Sequence, residues 1–390
     1  MDFRQITAAE RTDKMFPLQA YAFMPSPWPA EERDKYRERM QYYESAVSLV
    51  AEEDGQALAG AAAFRMQQNV RGLVHDMAGV ASVATHPSAR RRGLVRELMR
   101  RLLRQMRDEG CVVSALYPFR PSFYARFGFV GIPRHRTASF SPEGLSHLTR
   151  AELGGEVEQV SMADGFEVYD AFTRHLLTRR HGFAVFDEVR AAGFRNDRYW
   201  VAIARSGGEV VGVLRYRIDR SAGDLRASHL LTTGPVGQAL LLQFLGRHVD
   251  QVSRIVLTVS TDEVPELWGT DIAVVTEGQV GGPDRNAPMV RVLDMEALTG
   301  TPAGPGAVTV EIVDDELIGG VWQLESAAGR LSVTKGTNPV ATLSAAGFSG
   351  LLYGVLDPVE IGVRGLGDVA AVPVLAEMFP RRMPYIVADF

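Results

Sequence analysis

Residues 48–70 carry two apolar runs, SLVAEE and ALAGAAAFRMQQNV, on either side of an acidic-glycine pair, Asp54-Gly55. That pattern predicts a β-hairpin. A second apolar run, 77–85, reads as a strand that stops at His86-Pro87-Ser88. The period then changes. Leu94, Val95, Leu98, Met99, Leu102, Leu103 and Met106 fall at i, i+3, i+4 and i+7, the stripe of an amphipathic helix, with Gly110 as its C-terminal stop. Residues 111–117, CVVSALY, follow as another strand. Strand, glycine turn, helix and strand make a βαβ unit and predict a partly parallel sheet.

A fainter copy of this order lies about one domain length downstream. Residues 199–219 read as a hairpin around Ser206-Gly207-Gly208, residues 237–249 as a helix and 255–259 as a strand. Its helix opens on Pro235-Val236-Gly237 and lacks the arginines of the first copy, so the repeat reads as structural. The Gly-, Pro- and Thr-rich stretch 298–308 reads as a linker or long loop. Beyond it the pattern suggests strands followed by helices, a small α+β domain, and a short apolar tail, 385–390.

With 390 residues, the chain is long enough for two or three domains. The expected division is 1–150, 151–288 and 289–390. The net charge of -5 argues against a duplex-DNA partner. Arginines nevertheless cluster at 90–107, which points to a local anionic ligand. One cysteine, Cys111, excludes an intramolecular disulfide and a multi-cysteine metal site, and it reads as core. No metal site is expected: His175 and His181 lack carboxylate or cysteine companions at ligand spacing. The start lacks the apolar core of a secretory signal, and no run of 18 apolar residues occurs, so a cytoplasmic location and no membrane span are expected. His75-Asp76 reads as a loop surface, and the aromatic segment 21–28 as either a pocket wall or a core cap.

The chemistry concentrates at Arg90-Arg91-Arg92-Gly93-Leu94-Val95, between strand and helix. A helix N-terminus offers unpaired N–H groups and partial positive charge, so a pyrophosphate can dock there. Gly93 lets backbone approach a phosphate, and arginines add charge-assisted hydrogen bonds. The preceding strand end, Val83-Ala84-Thr85, can pair with an extended, amide-bearing ligand. Coenzyme A has both parts.

This segment resembles the acetyl-CoA motif of the GNAT N-acetyltransferase superfamily, Arg/Gln-x-x-Gly-x-Gly/Ala, with Val95 in place of the last small residue. Ser122-Phe123-Tyr124-Ala125-Arg126-Phe127-Gly128-Phe129 resembles the Y-x-R-F-G segment of the enhanced intracellular survival (Eis) acetyltransferases. Chain length, a degenerate second copy and an aromatic last residue agree with that family, and 289–294, MVRVLD, resembles its passage into a third domain. The resemblance implies an α/β (α+β) fold of tandem GNAT-like domains followed by a sterol-carrier-protein-like domain, and a homohexamer. It implies acetyl-CoA as co-substrate, held by Val83, Ala84 and Thr85, by Arg91, Arg92, Gly93, Leu94, Val95 and Arg96, and by Phe119 and Arg120. It also implies Tyr124 as general acid and the C-terminal carboxylate of Phe390 as general base. Asp389 and Trp28 are expected beside the acceptor, a small cationic amine of aminoglycoside or polyamine kind, or a lysine. A competing reading is a non-catalytic sensor that binds an apolar ligand in the third domain. A third is a transferase of longer acyl chains.

Overall fold

The computed structural model describes residues 1–281, 286–369, 372–388 and 390. Three sheets organise them. The first contains β1 (Asp2–Ile6), β2 (Val47–Glu53), β3 (Gln56–Val70), β4 (Leu73–Thr85), β5 (Val113–Leu116) and β6 (Val130–Gly131). The expected hairpin is β2–β3, which turns at Asp54 and Gly55, both with positive φ. Neighbouring strands are antiparallel except β4 and β5, which run parallel because a helix connects them. That helix, α3 (Leu94–Asp108), buries Leu98, Met99, Leu102, Leu103 and Met106 against the sheet. Each such side chain contributes about 1.5–3 kcal/mol. Besides a single turn at Arg11–Lys14, two further helices precede β2: α1 (Phe16–Phe23) and α2 (Glu31–Glu38).

The second sheet repeats the arrangement. Trp200–Ser206 and Glu209–Asp219 form the hairpin, and helix Pro235–Gly246 connects Asp224–Ala227 to the parallel strand Arg254–Val259. The third sheet has five strands, of which Gly306–Val313 and Ala341–Ser344 are parallel. Its helix Ala345–Leu352 is buried along its whole length.

Sheet membership departs from the expected division at three strands, one of them Ala184–Phe186, which belongs to the second segment but pairs with β3 in the first sheet. Arg136–Phe140, on the first side of the 150 boundary, pairs with Arg254–Val259 in the second sheet. Met289–Val292, expected to open the third domain, lies between β5 and β6 in the first sheet. The first and second sheets thus each receive the strand beside their parallel pair from beyond their own segment. Periodicity along the chain shows that a strand exists but not which sheet takes it. Two other expectations are corrected. His75 is not on a loop surface: it lies within β4, 6% exposed, with Nε2 3.2 Å from the Thr301 hydroxyl. The stretch 298–308 is no open linker, since Gly306–Val313 is already a strand and Gly300 and Thr301 hydrogen-bond with Leu331.

The third segment is bolted to the first sheet by a buried ion pair. Arg291, 2% exposed, donates to both Asp315 carboxylate oxygens at 3.0 and 3.2 Å and to the Phe127 carbonyl. The Val292 N–H donates to the buried Ser349 hydroxyl at 3.0 Å. Among the described residues no helix is long and apolar enough to cross a membrane.

Candidate active site

β4 and β5 pair only from Met77 opposite Val113 to Val80 opposite Leu116. Beyond that point β4 changes course. Its register with β3 shifts between Gly60 and Ala62, so that Ser82 and Val83 together face Ala61, and Ser82 takes a φ of +58°. Such a bulge bends its strand and leaves backbone groups unpaired. Among the described residues no strand pairs with Ser82 to Thr85 on the β5 side. Main-chain groups there are open to an extended partner.

The gap between the parted strands is a cleft of about 720 Å³. Val83, Ala84 and Thr85 form one wall, Phe119, Arg120, Phe123 and Arg126 the other, and Tyr21, Ala22 and Phe23 of α1 also line it. Its floor is the first turn of α3, with Arg90, Arg91, Gly93, Leu94, Val95 and Arg96. Gly93 is the N-cap, has φ +80° and offers no side-chain cap, so the first helical N–H groups remain unpaired within the helix. A Cβ added at Gly93 would meet nothing within 4 Å, so its positive φ, not crowding, favours glycine there. Arg91 also has positive φ, +66°. The cleft lining includes Arg90, Arg91, Arg96, Arg120 and Arg126 and no Asp or Glu. Helix dipole and guanidinium charge therefore act in the same direction, toward an anion.

All the residues expected to touch the cofactor line this cleft except Arg92. Arg92 turns outward and pairs with Glu53 at 3.2 Å. Lining residues outside that expectation include Tyr21, Phe23, Arg90 and Arg126. Arg90 and Arg126 belong to the arginine-glycine turn and to the Y-x-R-F-G segment, whose sequence shows the charge but not its direction. Asn286 was missed altogether: its Nδ2 donates to the carbonyls of Pro118 at 2.9 Å and Phe119 at 3.2 Å and fixes the loop that presents Phe119 and Arg120.

Tyr124 lies on the short helix Pro121–Ala125 and is 3% exposed. It stands under the cleft, with its ring 5.6 Å from that of Phe119 and 5.0 Å from that of Phe123, both of which line the opening. Burial alone pushes its phenol pKa up, so the hydroxyl stays protonated.

A second cleft, about 500 Å³, adjoins the first. Gln19, Phe23, Met24, Glu32, Lys35, Tyr36, Arg39, Tyr43, Ser82 and Phe390 line it. Phe23 lines both clefts, and the consecutive residues Ser82 and Val83 line one each. The two openings therefore abut at the β4 bulge. The chain's last residue reaches this point from the third segment. Its ring packs edge-on against Tyr117 at 5.5 Å and Phe186 at 6.2 Å. Gly79 makes the room, since a Cβ there would lie 3.3 Å from the Phe390 ring and 2.5 Å from the Met66 sulfur. The Tyr117 hydroxyl donates to the Ala388 carbonyl at 3.1 Å, and Tyr385 and Ile386 are buried.

The site does not take in every expected residue. Trp28 lines neither cleft but a third hollow, with Lys14, His86 and Tyr21, the last of which also lines the first cleft, and its indole packs edge-on against Phe16 at 6.0 Å. Asp389 lies outside the described residues. Among the described residues no group of three or more His, Cys, Asp or Glu is placed to hold a metal ion.

Residues 2–131 match the family model of the acetyltransferase (GNAT) domain. An uncharacterised N-acetyltransferase of Streptomyces coelicolor is 28% identical over 338 residues, covering 80% of this chain and 79% of that protein. Among solved structures, a GCN5-related N-acetyltransferase of Anabaena variabilis superposes with a TM-score of 0.84 at 17% identity, covering 100% of both chains. Eis1 of Mycobacterium abscessus does so with a TM-score of 0.77 at 16% identity, again over 100% of both. At these identities the two structures establish the shared fold.

Proposed function

We propose that this N-acetyltransferase, which carries its GNAT domain over residues 2–131, transfers the acetyl group of acetyl-CoA to an amine held beside its own C-terminus. The observation that carries the reading is the meeting of two clefts at Ser82 and Val83, one rich in arginine and the other lined by Phe390.

The arginine-rich cleft fits coenzyme A in charge and in shape. The N-terminus of α3 with Arg90, Arg91 and Arg96 would hold the pyrophosphate, and the backbone of Val83 to Thr85, which no described strand pairs on the β5 side, would pair with the pantetheine amides. Bound acetyl-CoA supplies the activated thioester. The chain's own groups then handle two protons. The Phe390 carboxylate is the proton acceptor in this reading. It takes the proton that the acceptor amine loses as nitrogen bonds to the carbonyl carbon. Tyr124 gives its proton to the sulfur as the carbon–sulfur bond breaks. No covalent link to the protein is required.

The acceptor cleft carries both signs of charge, Glu32 against Lys35 and Arg39, and Phe390 lines it. The Eis resemblance favours aminoglycoside or polyamine-like amines, or lysine side chains, and a homohexameric assembly. Acetyl-CoA consumption by untagged protein, screened across aminoglycosides, polyamines and lysine peptides, tests the reading. Turnover of at least one class is expected. Binding of acetyl-CoA with no amine-dependent turnover contradicts it.

A further inference from the structure

Residues 380–386 reach the acceptor cleft through a passage to which all three segments contribute. Two glycines form its narrowest points. Gly182 has φ +81°, and a Cβ there would come within 2.5 Å of both Pro384 Cβ and the Tyr385 nitrogen. Gly354 has φ +68°, and a Cβ there would come within 2.6 Å of the Arg382 nitrogen. Each glycine sits at a backbone anchor. The Tyr385 N–H donates to the His181 carbonyl at 2.9 Å, and the Arg382 N–H donates to the Gly354 carbonyl at 3.2 Å.

Side chains close the passage. Arg71, in the turn between β3 and β4, donates to the carbonyls of Leu351 at 3.1 Å, Leu352 at 2.5 Å and Pro380 at 2.9 Å. The Arg180 guanidinium lies 4.0 Å over the Tyr385 ring. The Tyr385 hydroxyl shares a hydrogen bond with His229 Nδ1. Arg71 belongs to the first sheet's segment, Arg180, Gly182 and His229 to the second, and Gly354 to the third.

We propose that Gly182 and Gly354 are positioning residues of a three-way clamp that sets how far the C-terminus enters the acceptor cleft. The inference rests on the reading of the Phe390 carboxylate as base. It also gives the second GNAT-like unit, which lacks the arginine-glycine turn, a role in gripping the tail. The geometry leaves little slack. An extended chain advances about 3.3 Å per residue. A slip of one residue at Tyr385 therefore moves the terminus by more than the roughly 2.6–3.2 Å reach of a proton-transfer contact.

The test uses untagged full-length protein with Gly182→Ala, Gly354→Ala and, as a milder change that keeps the ring over Arg180, Tyr385→Phe. Each is measured alone and combined with one residue added after Phe390. The clamp predicts that the glycine variants lose about tenfold or more in kcat, while acetyl-CoA Kd stays within about twofold. Adding the extra residue to a clamp variant should cost little more, since both changes act through one group. If a glycine variant does not fold, Tyr385→Phe decides by a smaller kcat loss with unchanged acetyl-CoA Kd. Folded variants with full kcat, or losses that multiply with that of the extension, overturn the clamp. If the extension alone leaves the wild-type rate intact, the carboxylate reading itself fails. If the extension abolishes turnover while all three variants keep it, only the clamp fails.

Discussion

The ring of Phe390, the last residue of the chain, lies 5.5 Å from that of Tyr117, which directly follows the first sheet's parallel strand β5. Residues of the first and third segments thus meet near the point where β4 and β5 part, and Phe390 lines the second cleft, which abuts the arginine-lined one.

The cationic cleft makes a prediction about cofactor affinity. Gly93→Ala introduces no crowding but places a side chain at φ +80°, a conformation that costs an L-residue about 1–2 kcal/mol. The first turn of α3 should relax away from it. Acetyl-CoA Kd, measured by calorimetry, is expected to rise by about tenfold, and wild-type affinity should fall as salt rises because exposed arginines are screened. Unchanged affinity would place the phosphates elsewhere.

Tyr124→Phe separates chemistry from binding. The phenol's pKa is raised by burial, so its proton is present at every pH from about 6 to 9 and no alkaline limb in that range belongs to it. Loss of the hydroxyl should lower kcat by about 10²-fold and leave acetyl-CoA Kd nearly unchanged. A loss confined to cofactor affinity would mean that Tyr124 only packs under Phe119 and Phe123.

Much of the first segment is readable along the chain. The hairpin β2–β3, the stripe on α3 and the glycine turn are local patterns, and local patterns carry their own physics. The second copy is readable for the same reason. What escapes is whatever depends on distant pairing. Nothing around Met289–Val292 says that it will slot beside β5, nor anything around Arg136–Phe140 that it will cross to the second sheet. Arg92 reads like its neighbours until the fold brings Glu53 within 3.2 Å. Trp28 follows an aromatic run that suggests a pocket, yet packing on Phe16 turns it to a different hollow. His75 next to Asp76 looks like a polar loop until β4 extends through it and buries it.

Stability should depend on His181. Its Nδ1 accepts from the Arg71 N–H at 3.0 Å, and its Nε2 lies 3.0 Å from the Tyr353 carbonyl, which fixes the neutral form. Burial, with the charges of Arg71 and Arg382 nearby, lowers its pKa to about 4. The folded pKa lies below the unfolded value of about 6.5, so the unfolded chain binds the extra proton first. The stabilisation is complete above pH 6.5 and is lost as pH falls toward 4, by about 3 kcal/mol in all. Denaturant unfolding across that window should show the decline, and an NMR titration should find His181 still neutral at pH 5. A normal titration of this ring would contradict the assignment.

Arg291→Ala should be costly. It removes the cation from the buried Asp315 carboxylate and opens the contact between the first and third segments. A loss of about 3–5 kcal/mol is expected in urea unfolding. A change under about 1 kcal/mol would mean that water relieves the site.

The most direct measurement concerns the end of the chain. One glycine added after Phe390 converts the carboxylate into a peptide carbonyl at that position and changes nothing in the arginine-lined cleft. Amine acetylation should fall by about 10²-fold or more, with acetyl-CoA affinity and melting temperature unchanged. An extended enzyme that acetylates at the wild-type rate would contradict the account, because the proton acceptor would then have to be another group.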